Sequence, residues 1–288
     1  MGNRIVMGNS LLFISFFIFS FSFLEAQKAP AVYVFGDSLV DVGNNNYLSL
    51  SIEKAILPHY GIDFPTKKPT GRFSNGKNAA DLIAENLGLP TSPPYLSLVS
   101  KVHNNNKKNV SFLGGVNFAS GGAGIFNASD KGFRLYNNGA KKFEIAGVGA
   151  IGCCPAYRVK NKTECVSEAN DLSVKYNEAL QSMLKEWQLE NKDISYSYFD
   201  TYAAIQDLVH NPASYGFANV KAACCGLGEL NAQIPCLPIS SICSNRKDHI
   251  FWDAFHPTEA AARIFVDEIF NGPSKYISPI NMEQLLAI

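Results

Sequence analysis

The chain has 288 residues, with 25 Lys plus Arg balanced by 25 Asp plus Glu, 47% hydrophobic residues and 17% charged ones. With zero formal charge and no basic run, it lacks the clustered Lys and Arg that phosphate recognition needs, which excludes nucleic acid as the main partner. Its 20 Phe and 12 Tyr supply enough apolar surface for a packed core and exclude a disordered polymer.

The first segment reads as a leader. Leu11 to Leu24 is an unbroken run of apolar residues and serines behind Arg4. It has the length of a signal-peptide core and falls short of the roughly 20 residues that span a bilayer. Ala26 is a suitable small residue before a cleavage point, although Leu24 fits poorly two places earlier. The expectation is a secretory signal peptide over residues 1–26 and a mature chain over 27–288 with no stable membrane insertion; the alternative is an uncleaved anchor. Acceptor triplets for glycosylation at Asn109, Asn127 and Asn161 agree with export. All seven cysteines lie beyond residue 150. In an oxidising compartment they predict disulfides rather than a metal site, because Cys224 adjoins Cys225 and neither a Cys-x-x-Cys pair nor clustered His is present. Cys153 with Cys165, and Cys224 or Cys225 with Cys236 or Cys243, would close short loops, with Cys154 as the odd thiol.

Downstream, Ala31 to Phe35 reads as a buried strand stopping at Gly36. Asn78 to Gly88 reads as a helix with a glycine just past its end. Val116 to Gly121 and Lys142 to Gly149 read as strands entering glycine turns. Asn170 to Leu189 predicts a long amphipathic helix with Leu172, Tyr176, Ala179, Leu180, Met183, Leu184 and Trp187 near one face. Ile194 to Asp200 predicts a further strand, and Pro257 to Phe270 a last helix with the proline just inside its start. Strands alternating with helices indicate an α/β layer fold with a mostly parallel sheet.

Two short strings carry chemistry. Gly36-Asp-Ser-Leu39 stands where the first strand ends, the end at which open parallel sheets bind ligands. A serine on such a turn exposes its hydroxyl and sets its own N–H beside a developing oxyanion. Asp253 precedes His256 by three residues, so it can orient the imidazole through one nitrogen and leave the other to take a proton from a serine. The plainer alternatives are a simple turn at Ser38 and an Asp253 that caps the last helix. His59, His103, His210 and His249 show no ligand spacing.

These strings belong to longer blocks: Val34 to Asn46, Pro69 to Gly76, Val116 to Gly124, Gly147 to Cys153, Ala223 to Gly226 and Phe251 to Glu259. In this order they resemble the plant branch of the GDSL esterase/lipase family, within the SGNH hydrolase superfamily, over most of the mature chain. The resemblance implies a single hydrolase domain over 27–288, folded as a three-layer α/β sandwich with a mostly parallel central sheet, flavodoxin-like. It implies a secreted serine esterase or lipase of the apoplast or cell wall, cleaving carboxylic esters or lipids without metal or organic cofactor. Ser38 would be the nucleophile, His256 the base and then acid, and Asp253 the residue orienting His256. The oxyanion would be held by the Ser38 N–H and by Gly122, with Gly121 as the alternative, and by an asparagine from a third block.

That third block ends in Gly-x-Asn-Asp in the family, and no such string occurs in this chain. Ala169-Asn170-Asp171 is the nearest, and it opens the long helix. A strand-plus-helix unit of roughly 30 residues or more is therefore expected to be missing. The 24 residues from Ala119 to Lys142 still suffice for a parallel crossover, with a short helix expected over Asp130 to Tyr136. The competing expectation is a non-catalytic or strongly impaired secreted glycoprotein, a shortened form of an active enzyme.

Overall fold

The computed structural model describes residues 27–103, 111–124, 135–136, 139–161 and 164–288. The leader, Asn109, Asn127 and most of the expected helix at 130–136 lie outside the described residues.

Strand β1 (Val32–Val34) is followed, after a long ordered loop, by α1 (Ala79–Asn86) and α2 (Tyr95–His103). Helix α1 starts where Asn78 and Asp81 cap each other's backbone N–H reciprocally, which satisfies two donors the helix itself leaves open. Arg72 reaches the same carboxylate with two bonds of 2.6 and 2.7 Å. The pair is buried, so the bidentate geometry and the added Thr91 hydroxyl at 2.8 Å offset the loss of water. Strand β2 (Gly115–Asn117) runs parallel to β1, Val32 opposite Gly115 and Val34 opposite Asn117.

Strand β3 (Lys142–Ala146) is parallel to β4 (Ser195–Phe199). Between them lie the short α3 (Pro155–Arg158) and the 24-residue α4 (Ser167–Glu190). After β4 come α5 (Thr201–His210), β5 (Asn219–Ala223), β6 (Cys225–Gly226), β7 (Ser241–Ile242) and β8 (His249–Phe251). The chain closes with α6 (Glu259–Asn271), β9 (Ile277–Pro279) and α7 (Met282–Ala287).

The fold is mixed α/β with parallel pairs β1/β2, β3/β4 and β5/β8. Among the described residues the single sheet expected from the sequence is broken into four pieces, with β9 antiparallel on β4 and β6 antiparallel to β7. Among the described residues β1 and β3 each pair on one side only. Strand β3 carries the exposed Lys142 at its start, and a charged residue is how natural sheets blunt an open edge.

The main core joins α1, α5, α6 and α7 to β4 and β8 through Leu82, Leu208, Phe199, Phe251, Val266 and Phe270. Each such side chain contributes about 1.5–3 kcal/mol on burial. A second cluster gathers Ala55, Tyr60, Phe73 and Trp252 around two disulfides.

Two sequence expectations are corrected here. The inward face of α4 is formed by Ser173, Asn177, Leu180, Leu184 and Trp187, whereas Leu172, Ala179 and Met183 are exposed. The reason is local: Asn177 bonds both the N–H and the carbonyl of Val148 at 2.8 Å, and Asn170 takes the Gly152 N–H at 2.9 Å. A glycine-rich backbone packed this close needs polar partners rather than aliphatic ones. Helix α6 begins at Glu259 with Thr258 as its cap, leaving Pro257 outside, and it is not the last helix because α7 follows. Asp253 therefore caps no helix.

Candidate active site

Ser38 lies four residues beyond the carboxyl end of β1. The turn is held by the Asp37 side chain, which accepts the Leu39 N–H at 2.9 Å, and by the Asp37 carbonyl, which accepts that of Asp41 at 3.1 Å. Asp41 is fully buried and links this turn to the next one. Its Oδ1 accepts the N–H groups of Gly43 and Asn44 at 2.7 Å, and its Oδ2 accepts that of Gly121 at 3.1 Å.

Three buried asparagines complete the frame. Asn44 donates to the carbonyls of Asn117 and Ala119, Asn117 donates to that of Val40, and Asn45 donates to those of Gly121 and Glu53. The Gly121 N–H is thus committed to Asp41. The next N–H, that of Gly122, is uncommitted among the described residues, on a residue at φ 82° that a side chain would strain. Of the two glycines read from the sequence, Gly122 is the one with a donor to offer.

Asp253 and His256 follow β8 on a short loop closed by the Trp252 N–H donating to the His256 carbonyl at 2.8 Å. His256 Nδ1 lies 2.7 Å from Asp253 Oδ1 and 2.9 Å from Oδ2, and His256 Nε2 lies 2.8 Å from Ser38 Oγ. The same carboxylate accepts the N–H groups of Phe255 and His256 at 3.0 and 2.9 Å. The Phe73 ring packs on the imidazole at 4.9 Å.

Burial works against charge on both partners, and their mutual interaction outweighs it. Burial alone would push the Asp253 carboxyl up, yet the His256 charge, the His256 side-chain bond and the two loop N–H bonds hold it below the ordinary range. Burial alone would push His256 down, yet the Asp253 charge and bond raise it above 6.5, with Asp37 and Glu53 adding to the effect.

Ser38, 218 residues from His256 in sequence, therefore stands in one hydrogen-bonded line with His256 and Asp253. Asn161 is exposed on the turn after α3. His59 reaches the distant Pro238 carbonyl, and His210 and His249 are spent on local contacts with Gln206 and Asp248. Among the described residues no three His, Cys, Asp or Glu side chains converge as a metal site. The disulfides are Cys153–Cys165, Cys224–Cys243 and Cys225–Cys236, with Cys154 free. Burial pushes the Cys154 thiol up to about 12, so it is neutral at physiological pH. Sequence reasoning missed Asp41, the three asparagines as a frame, and Tyr60, whose hydroxyl donates to Asp253 Oδ2 at 2.9 Å.

A buried acid, an imidazole and a hydroxyl in line, beside an uncommitted backbone N–H, form the kind of constellation used in serine-dependent acyl transfer. The profile of the family described as GDSL-like Lipase/Acylhydrolase matches residues 32–137 and 128–269. The chain is 43% identical to GDSL esterase/lipase At5g55050 of Arabidopsis thaliana over 364 aligned positions, which cover 96% of each chain. It is 31% identical to GDSL esterase/lipase At5g37690 of the same plant, over 90% of this chain and 94% of that one. This protein belongs to the GDSL esterase/lipase family.

Proposed function

We propose that the protein is a secreted carboxylic ester hydrolase acting through an acyl-Ser38 intermediate. The observation that carries this reading is the 2.8 Å contact between His256 Nε2 and Ser38 Oγ, with Asp253 behind the imidazole. His256 takes the Ser38 proton as Oγ attacks the ester carbonyl carbon. The carbonyl electron pair moves to oxygen, facing the N–H groups of Ser38 and Gly122. The imidazolium then gives its proton to the departing alcohol, and water repeats the sequence to release the acid. Asp253 holds the imidazole in the tautomer with Nδ1 protonated and stays ionised throughout.

In this reading residues 1–26 are removed on export and 27–288 form one hydrolase domain, a three-layer α/β sandwich short of one strand–helix unit. The mature protein works outside the cell on ester or lipid substrates. Export is supported by the three disulfides and by the exposed acceptor Asn161.

A specific observation favours the second reading, an impaired or non-catalytic glycoprotein. The family profile is matched in two pieces that overlap over residues 128–137, and the alignment to At5g55050 runs over more positions than the chain has residues. Both agree with a lost block carrying Gly-x-Asn-Asp. Loss of one oxyanion donor costs about 3–4 kcal/mol, or 100- to 1,000-fold in rate.

Labelling of the purified mature protein by a fluorophosphonate probe, with Ser38→Ala alongside, separates the two. Labelling that requires Ser38, with ester turnover, is the expected outcome. A folded protein that the probe does not touch would establish the non-catalytic reading instead.

A further inference from the structure

We propose that Tyr60 is a positioning residue for this site, holding Asp253 through Oδ2 and tuning how strongly that carboxylate pairs with His256. The inference rests on the reading that Ser38, His256 and Asp253 carry the reaction.

Asp253 Oδ1 is bonded only within its own loop, by the N–H groups of Phe255 and His256 and by His256 Nδ1. Oδ2 accepts the Tyr60 hydroxyl, from 193 residues away in sequence. Among the described residues this is the one donor from outside the loop that reaches the carboxylate.

The phenol is built into place. Its ring meets Phe73 and Trp252 edge-on, each at 6.2 Å between centroids. The backbone on either side is unusual, with His59 at φ 85° and Gly61 at φ 67°. A Cβ at Gly61 would collide with the Lys68 carbonyl, so this turn accepts only glycine. A left-handed non-glycine residue is strained, and it stands next to the one buried hydroxyl that reaches this buried carboxylate.

A phenol donating to a carboxylate spreads its negative charge and lowers its proton affinity. The imidazolium beside it is then stabilised less, which keeps the base neutral to lower pH. The other ionisable groups facing this pair are Asp37 and Glu53 toward His256, and Cys154 toward Asp253. Glu53 also faces Tyr60 itself.

Tyr60→Phe keeps the ring and deletes the donor. The expected result is that the rising limb of kcat/KM against pH moves to higher pH. At pH 6.5 kcat/KM falls roughly tenfold, while the melting temperature stays within a few degrees. The His256 ring titration, followed by NMR and assigned with His256→Gln, moves in the same direction. A second perturbation has the opposite sign: fluorotyrosine incorporation makes the phenol a stronger donor and moves the titration to lower pH. An unmoved titration in both cases would overturn the proposal and leave Tyr60 as packing alone. The NMR reading needs no turnover, so failure of the hydrolase reading and failure of the Tyr60 proposal are told apart.

Discussion

At the scale of single residues, the site depends on a charge that burial opposes. Asp253 is ionised inside the protein because three donors and an imidazole face it, and each hydrogen bond to a charged group contributes about 1.5–3 kcal/mol. Asp253→Asn presents an amide N–H to His256 Nδ1, which favours the wrong imidazole tautomer. It should lower kcat by about 1,000- to 10,000-fold, measured on a chromogenic ester. His256 must be neutral to act as a base, and its pKa is raised above 6.5. Activity should therefore climb with pH to a midpoint above 6.5, and a profile flat between pH 5 and 8 would contradict the role given to His256.

At the scale of elements, β3 and β4 carry an unusual liability. Both carboxylate oxygens of Glu144 are buried without a hydrogen-bond partner among the described residues. Ser197 stands opposite Glu144 in register. It is near enough to draw the carboxyl pKa back a little, but it makes no bond of ordinary geometry. Burial pushes the group from 4.5 up to about 8. Between those values the unfolded chain ionises Glu144 and the folded one does not, so rising pH favours unfolding until the folded carboxyl itself titrates. Glu144→Gln removes this dependence. Its urea midpoint should exceed that of the native chain at pH 8.5, by on the order of 2–5 kcal/mol in free energy. The difference should shrink to little below pH 4.5.

The glycine-rich strand ends explain which helical residues turn inward. Along α4 the register of buried positions follows Asn170, Ser173 and Asn177, of which Asn170 and Asn177 bond the backbone between Gly147 and Gly152. Hydrophobic periodicity located the helix and misassigned part of its face, because the neighbouring surface is peptide rather than side chain.

At the scale of the whole molecule, the two disulfides around Trp252 tie the acid's surroundings to a cluster separate from the main core. The N–H groups of Cys224 and Cys225 donate to the carbonyls of Phe251 and Trp252 at 3.0 and 2.7 Å, so the loop bearing Asp253 is anchored on this cluster. A disulfide closing a loop of this size contributes about 2–4 kcal/mol. Reduction should therefore cost ester hydrolysis and the near-ultraviolet dichroism of Trp252 together, as titratable thiols rise from one to seven. Full activity with all seven thiols reduced would show that the cluster does not support the site.

The sequence by itself determined what is local. Capping residues, glycine stops and alternating apolar runs define α1, β1, β3 and β4 to within a few residues, because short-range backbone and side-chain chemistry decides them. The blocks around Ser38 and His256 were legible as chemistry because a hydroxyl, an imidazole and a carboxylate have few other reasons to stand at such turns. Only the tertiary structure decided what is non-local. It chose Cys243 for Cys224 and Cys236 for Cys225, committed Gly121 to Asp41 and left the Gly122 N–H uncommitted among the described residues. It also brought Tyr60 to Asp253 and broke the sheet into pieces. These outcomes depend on distances between segments far apart in the chain, where no spacing pattern records which backbone group reaches which partner.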